Sequence, residues 1–259
     1  MESPINFKQL SISKNENYDL FSSKKYTEIY KRNIGKFIIE NGRKITYEPT
    51  DEIKEVNLIV YLLSNIFSYL LYQRGHIVLH AAAIAIDNKS YFFSGRSGIG
   101  KSTLVNNLLK AGNFLSEDTC CFDMKDKKYE ILRSLPFIKL DNSDNCEEML
   151  KSFPTQVDSR ERVMLSTQMI KADIPNDFRA GFFLKYGKIK KIEKISKTEA
   201  IKNFISNMRS SYPNDKFIKD QKENLIKISS LVENHEFFNV YRDSGENFDI
   251  EAVLKQLSI

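Results

Sequence analysis

SGRSGIGKST, residues 94–103, is the stretch on which the fold turns. Gly95, Arg96, Ser97, Gly98, Ile99, Gly100, Lys101 and Ser102 match the pattern G-x-x-x-x-G-K-[ST] without departure. Gly95 leaves a strand at backbone angles that a side chain resists. Gly98 and Gly100 let consecutive N–H groups turn inward onto phosphate oxygens. Lys101 is placed to neutralise a nucleotide's terminal phosphates, and the Ser102 hydroxyl to ligand Mg2+. The residues expected to touch a bound nucleotide are Gly95, Ser97, Gly98, Ile99, Gly100, Lys101, Ser102 and Thr103.

The flanks supply the context the loop needs. Downstream, STLVNNLLKAG carries Leu104, Val105, Leu108 and Leu109 on one helical face, with Gly112 at its C-terminal end. The helix N-terminus therefore points at the anion. Upstream, HIVLHAAAIAI (76–86) and SYFFSG (90–95) are β-prone runs separated by the turn-forming DNK, a hairpin whose second strand delivers the loop. His80 is a lone polar side chain in the first of these runs, and the hairpin returns it beside the loop strand. There an imidazole can hydrogen-bond a catalytic acid and tune its basicity.

Phosphoryl transfer also needs a carboxylate to hold the metal or take the proton of the incoming hydroxyl. The short apolar run NFLSED (113–118) ends in Glu117 and Asp118, where a parallel strand directly beside the loop strand would place them. Ser102, Glu117 and Asp118 are thus the expected metal set; Lys101, Glu117, Asp118 and His80 are the expected catalytic set. Arg133, Lys139, Arg160 and Arg162 follow as candidate nucleotide or acceptor contacts, and His235 reads as structural.

Ahead of this block, YTEIYKRNIGKFIIENGRKITYE (26–48) alternates β-prone runs with turn signals at Asn33–Gly35 and Asn41-Gly42. Residues 1–50 therefore read as a β-rich region. Residues 51–73 turn helical, with Asp51 as N-cap and Gly75 as terminator, and connect to a core domain taken as 51–259. The apolar run NLIVYLLSNIFSYLLY (57–72) carries Asn57, Ser64, Asn65 and Ser68 and falls short of the roughly 20 apolar residues that cross a bilayer, so it predicts a buried helix and no membrane partner.

Composition bounds the rest. The 259 residues are 41% hydrophobic and 28% charged, enough for a substantial core. A net charge of +5, from 39 basic and 34 acidic residues, does not imply a nucleic-acid partner. The basic stretch KYGKIKKIEKISKTEAIK (185–202) reads as a solvated face. Cys120, Cys121 and Cys146 have no metal-ligand spacing and suit a reducing compartment, and MESPINFKQL has neither the basic nor the apolar region of a secretory signal. The expected location is cytoplasmic.

The order of elements in GHIVLHAAAIAIDNKSYFFSGRSGIGKSTLVNNLLKAGNFLSEDTCCFD (75–123) resembles the HPr kinase-related family, whose nucleotide core is also similar to that of ATP-dependent phosphoenolpyruvate carboxykinase. The shared pattern is a strand with His, a strand, S-G-x-G-K-S, a helix, Gly, and L-S-[DE]-D. Weaker similarity continues through RSLPFIKL (133–140), RERVML (160–165), IEKISKTEAIKNF (192–204) and VYRDSGENFDIEAVLKQL (240–257). The resemblance implies an α/β (α+β) P-loop core on a mixed sheet that moves the γ-phosphate of ATP, with Mg2+, to a serine hydroxyl. It implies that Lys101 binds phosphate, Ser102 holds Mg2+, Glu117 and Asp118 supply the base and a metal contact in either order, and His80 supports the base. HPr kinases themselves assemble, so the resemblance admits a homo-oligomer, while the residues leave the oligomeric state open.

Three departures separate this chain from HPr kinases proper. Thr103 stands where they have an acid after G-K-S, their E-V-R-G signature has no counterpart, and residues 1–74 do not look like their N-terminal domain. Divergent kinases of ribosomally made precursor peptides fit better, so the expected acceptor is a serine-bearing peptide or protein. A small-molecule kinase acting on free serine or a similar alcohol, and a nucleotide-binding regulatory module, are the alternatives. Motor and switch NTPases are disfavoured by the lack of L-S-G-G-Q and N-K-x-D.

Overall fold

A computed structural model describes residues 11–15, 18–50, 55–125, 128–134, 137–140, 156–157, 163–166, 177–209, 222–243 and 248–256. The chain divides into two compact units, one of Met1–Val78 with Met208–Lys227, the other of Leu79–Asn207 with Ile228–Ile259. Asp51, Arg160, Arg162 and Cys146 lie outside the described residues, as do residues 210–215.

The first unit is built on an antiparallel meander of β1 (Ser11–Asn15), β2 (Tyr18–Ser22), β3 (Tyr26–Lys31), β4 (Gly35–Glu40) and β5 (Lys44–Pro49), paired in sequence order. Alternation puts Ile29, Phe37 and Ile39 into its core. Asn33, Asn41 and Gly42 take positive φ in the turns. The helical segment runs as α1 (Glu55–Tyr61), a π-helical stretch (Leu62–Ile66) and α2 (Phe67–Gln73). In this division it groups with the N-terminal sheet, to which the Gln73 amide and Arg74 guanidinium are bonded at Gly42. Where the π stretch loosens the helix, Arg209 donates to the Ser64 carbonyl at 3.1 Å and to Asn65 Oδ1 at 3.0 Å. At the C-terminus Gly75 has φ +85, its N–H bonds the Tyr72 carbonyl, and the His76 N–H bonds the Leu71 carbonyl. This 5→2 and 6→1 pair is a Schellman stop. Among the described residues no helix is long and apolar enough to cross a membrane.

At the division the predicted strand 76–86 is broken at His80 into β6 (Ile77–Leu79) and β7 (Ala81–Ile86). The second unit continues with β8 (Lys89–Ser94), α3 (Lys101–Leu108), β9 (Asn113–Ser116), β10 (Cys120–Lys125) and β11 (Lys128–Leu132). Then come β12 (Phe137–Leu140), β13 (Gln156–Val157) and β14 (Val163–Ser166), a small separate sheet in the order β12-β14-β13. They are followed by β15 (Asp177–Tyr186), β16 (Lys191–Lys194), α4 (Lys197–Asn207), α5 (Lys222–Glu233), β17 (Glu236–Arg242) and α6 (Ile250–Gln256).

The main sheet is mixed. β8, β15 and β17 are parallel neighbours, β7 is antiparallel to β8, β9 to β7, and β16 to β17. The β10–β11 hairpin joins at the start of β15 through Glu130 and Asp177. Both faces are covered, which is why the strands read as nearly continuous apolar runs. Phe93, Phe182 and Phe238 face a layer holding Leu104, Val105 and Leu108 of α3 and Val253 of α6. Their neighbours Phe92, Phe183 and Phe237 ring-pack with Phe204 of α4 on the other face.

Two local expectations need correction. The acids do not follow a parallel strand directly beside the loop strand: β7 lies between β8 and β9. Two antiparallel pairings in succession nevertheless restore the direction, so β8 and β9 end at the same edge. Gly112 does not cap α3, which ends at Leu108 with Leu109 as a right-handed C-cap. Gly112 is small because a Cβ there would lie 2.5 Å from the Ala85 carbonyl oxygen.

Candidate functional site

The strand directions gather the expected residues at one end of the main sheet. The C-terminal ends of β8, β9, β15 and β17 meet there with the N-terminal end of β7, so the loop, the acids and His80 come from three neighbouring strands. The β7–β8 connection is a two-residue turn with Asp87 and Asn88 both at positive φ, the geometry that matches strand twist. Its register sets Ala81 opposite Ser94, and the Ser94 hydroxyl donates to the His80 carbonyl at 2.8 Å.

The loop has the backbone that its sequence demands. Gly95, Gly98 and Gly100 have φ of +155, +79 and +97. A Cβ on Gly95 would sit 2.7 Å from the Leu184 carbonyl. Ile99 buries its side chain in the core beneath α3, anchoring the loop, and its N–H bonds the Arg96 carbonyl. Ser97 is exposed, and Thr103 follows Ser102 on α3, half-buried. The buried Lys101 ammonium reaches back across the loop to the carbonyls of Gly95 at 3.0 Å and Arg96 at 3.1 Å.

Successive side chains of a strand point to opposite faces, yet Glu117 and Asp118 both reach one lysine. The chain turns sharply at this point: Asp118 has φ +67 and the Thr119 N–H donates to the Glu117 carbonyl at 2.8 Å, a γ-turn of the left-handed kind. The turn aims both carboxylates at Lys139, which lies 2.6 Å from Asp118 Oδ2 and 3.4 Å from Glu117 Oε2. Their remaining oxygens are assigned differently. The Ser102 hydroxyl donates to Glu117 Oε1 at 2.8 Å, whereas His80 Nε2 lies 3.2 Å from Asp118 Oδ1. Glu117 thus belongs to the side of the Gly95–Ser102 loop and Asp118 to the imidazole side.

Ser102 and Glu117 offer a hydroxyl and a carboxylate oxygen within one hydrogen bond of each other, a hard-oxygen donor set that suits Mg2+, which takes few protein ligands and completes its shell with water and phosphate. Among the described residues no group of three or more His, Cys, Asp or Glu gathers as a metal cluster.

Two residues have roles that sequence reading missed. Lys139, taken as a nucleotide or acceptor contact, sits on the acid pair; its signal was a lysine in the apolar run FIKL. Arg242 ends β17, donates to the Ile99 carbonyl at 3.0 Å, and lies 5.1 Å from the Tyr186 ring centre and 5.0 Å from that of Phe248. It braces the loop from the strand parallel to β15, and nothing in the letters VYR announced it. Arg133 is half-buried just after β11. His235 is held by Leu231 and lies against Phe178, outside this constellation.

No family model and no curated protein matches the chain. Among solved structures, the HPr(Ser) kinase/phosphatase from Coxiella burnetii is similar over 70% of this chain and 87% of that one, at 9% identity and a TM-score of 0.31. A TM-score that low carries no part of the reasoning below.

Proposed function

We propose that the protein is an ATP- and Mg2+-dependent kinase that transfers the γ-phosphate to a serine hydroxyl of a peptide or protein. The observation that carries this reading is the split of the acid pair, with Glu117 bonded to Ser102 and Asp118 set beside His80, at the same sheet end as the Lys101 loop. A phosphate sensor needs the loop alone; a second carboxylate held by an imidazole is the equipment of proton transfer.

In this mechanism the loop N–H groups and Lys101 hold the β- and γ-phosphates, and Ser102 with Glu117 would hold Mg2+, which neutralises charge on the transferred group. Asp118 takes the proton of the acceptor hydroxyl as its oxygen bonds to the γ-phosphorus and the bond to the bridging oxygen of ADP breaks. His80 fixes the orientation of Asp118 and stabilises the charge that it carries before the proton arrives.

The test is incubation with ATP, Mg2+ and a panel of serine-bearing peptides, with free serine alongside, read by mass spectrometry for the phosphorylated acceptor. Asp118→Asn is expected to lose transfer by on the order of a hundredfold or more while binding nucleotide normally, as removal of a general base does. Glu117→Gln is expected to lose metal-dependent nucleotide binding as well. Wild-type transfer by Asp118→Asn sinks the mechanism.

A further inference from the structure

Lys139 is a lysine where the fold can least accommodate one without a purpose. It follows Ile138, which is fully buried in the core under α3, and its own side chain is only 8% exposed, as is that of Glu117. Burial of a charge is costly unless it is paired, and removing one partner of such a pair exposes the full cost of the other. Lys139 meets that demand with two unequal contacts, 2.6 Å to Asp118 and 3.4 Å to Glu117. The weaker contact is to the carboxylate that also accepts the Ser102 hydroxyl, the place where Mg2+ would bind.

From these positions we infer that Lys139 is an internal counter-cation: it shares Glu117 with the site while the divalent ion is away, yields Glu117 when the ion arrives, and keeps its hold on Asp118 throughout. The inference rests on the kinase reading of this site and names its metal-dependent switch. Two like charges cannot approach one carboxylate without repulsion, so a divalent ion at Ser102 and Glu117 weakens the longer contact first. The shorter contact remains, so Asp118 stays oriented between Lys139 on one oxygen and His80 on the other. Lys139 is therefore a positioning residue, acting on the acids rather than on the reacting atoms.

This arrangement has an unusual signature. A lysine that merely supports the fold should, when removed, weaken metal binding and turnover alike. An internal competitor should, when removed, tighten metal binding while turnover falls. The probe is Mn2+, titrated by electron paramagnetic resonance in the presence of a non-hydrolysable ATP analogue. Lys139→Met is expected to bind Mn2+ about tenfold more tightly than wild type, the scale of one charge-assisted contact, with kcat reduced and the KM for nucleotide little changed. Lys139→Arg, which keeps the charge, is expected to bind Mn2+ as wild type does.

In the wild-type protein the Lys139 Nζ resonance, assigned from these variants or by selective labelling, is expected to shift when Mg2+ and the analogue are added together but not with the analogue alone. This measurement decides the matter if Lys139→Met does not fold. Unchanged or weaker Mn2+ binding by a folded Lys139→Met, or a Lys139 signal indifferent to metal, overturns the inference while leaving the kinase reading intact. A wild-type protein that binds no metal with nucleotide overturns the kinase reading itself.

Discussion

At the scale of single residues, Arg242 and His235 make opposite demands on a test. Arg242 donates to the Ile99 carbonyl of the loop and lies over the rings of Tyr186 and Phe248. On the kinase reading proposed above, Arg242→Ala should weaken nucleotide binding by roughly tenfold, the worth of one hydrogen bond from a charged donor, while the phosphoryl-transfer step keeps its rate; isothermal titration against single-turnover kinetics separates the two. His235 affects stability instead. Burial pushes its imidazole below the ordinary value of 6.5, with the Leu231 carbonyl partly opposing that shift. The unfolded chain then takes up the proton first, so this contribution to stability is intact above pH 6.5 and drains away as the pH falls through and below that value. His235→Phe, which keeps a ring against Phe178, should flatten that part of a plot of Tm against pH. The thiols of Cys120 and Cys121 are both buried and pushed upward by burial, that of Cys120 to about 12, which suits packing and not reactivity.

At the scale of elements, the turns were the most legible features, because turn residues act locally. Asn33, Asn41, Asp87 and Gly75 were all readable as chain reversals or stops, and each has positive φ. The strand–loop–helix around Lys101 was legible for the same reason, its glycines being dictated within the loop itself. The order β8-β7-β9 was not, because NFLS has no letter that distinguishes pairing with β7 from pairing with β8. Nor was the reason for Gly112, which lies in its close approach to Ala85 of β7 and not in the helix that precedes it. Gly112→Ala should cost about 1–3 kcal/mol through overpacking and lower Tm by several degrees. The same substitution should leave the acid pair's partners in place, which hydrogen exchange at Thr119 can check. Ser102, Glu117, Asp118, His80 and Lys139 were nameable from spacing and resemblance, whereas the place of Lys139 on the acid pair and of Arg242 on the loop depended on long-range packing that no local pattern carries.

At the scale of the whole molecule, the two units are interleaved in the chain. The first is completed by Met208–Lys227, a stretch inserted between two parts of the second. Its ties to the first unit include Arg209 on Ser64 and Asn65, Lys227 on the Gly75 carbonyl, and Glu223 on Lys24. A fragment of residues 79–259 should therefore carry that stretch without its partners and show faster proteolysis within it than the intact chain, with protection restored when residues 1–78 are supplied in trans. Interleaving also sets a timetable for synthesis. The meander and the helical segment leave the ribosome before the mixed sheet, yet the arginine that bonds the Ser64 carbonyl of the π-helical stretch emerges only after nearly all of that sheet. Domains generally fold as units while the chain is being made. Here a segment made before the mixed sheet waits for one made after most of it, so the Lys101 loop and the acids that follow it can assemble before the unit that precedes them is finished.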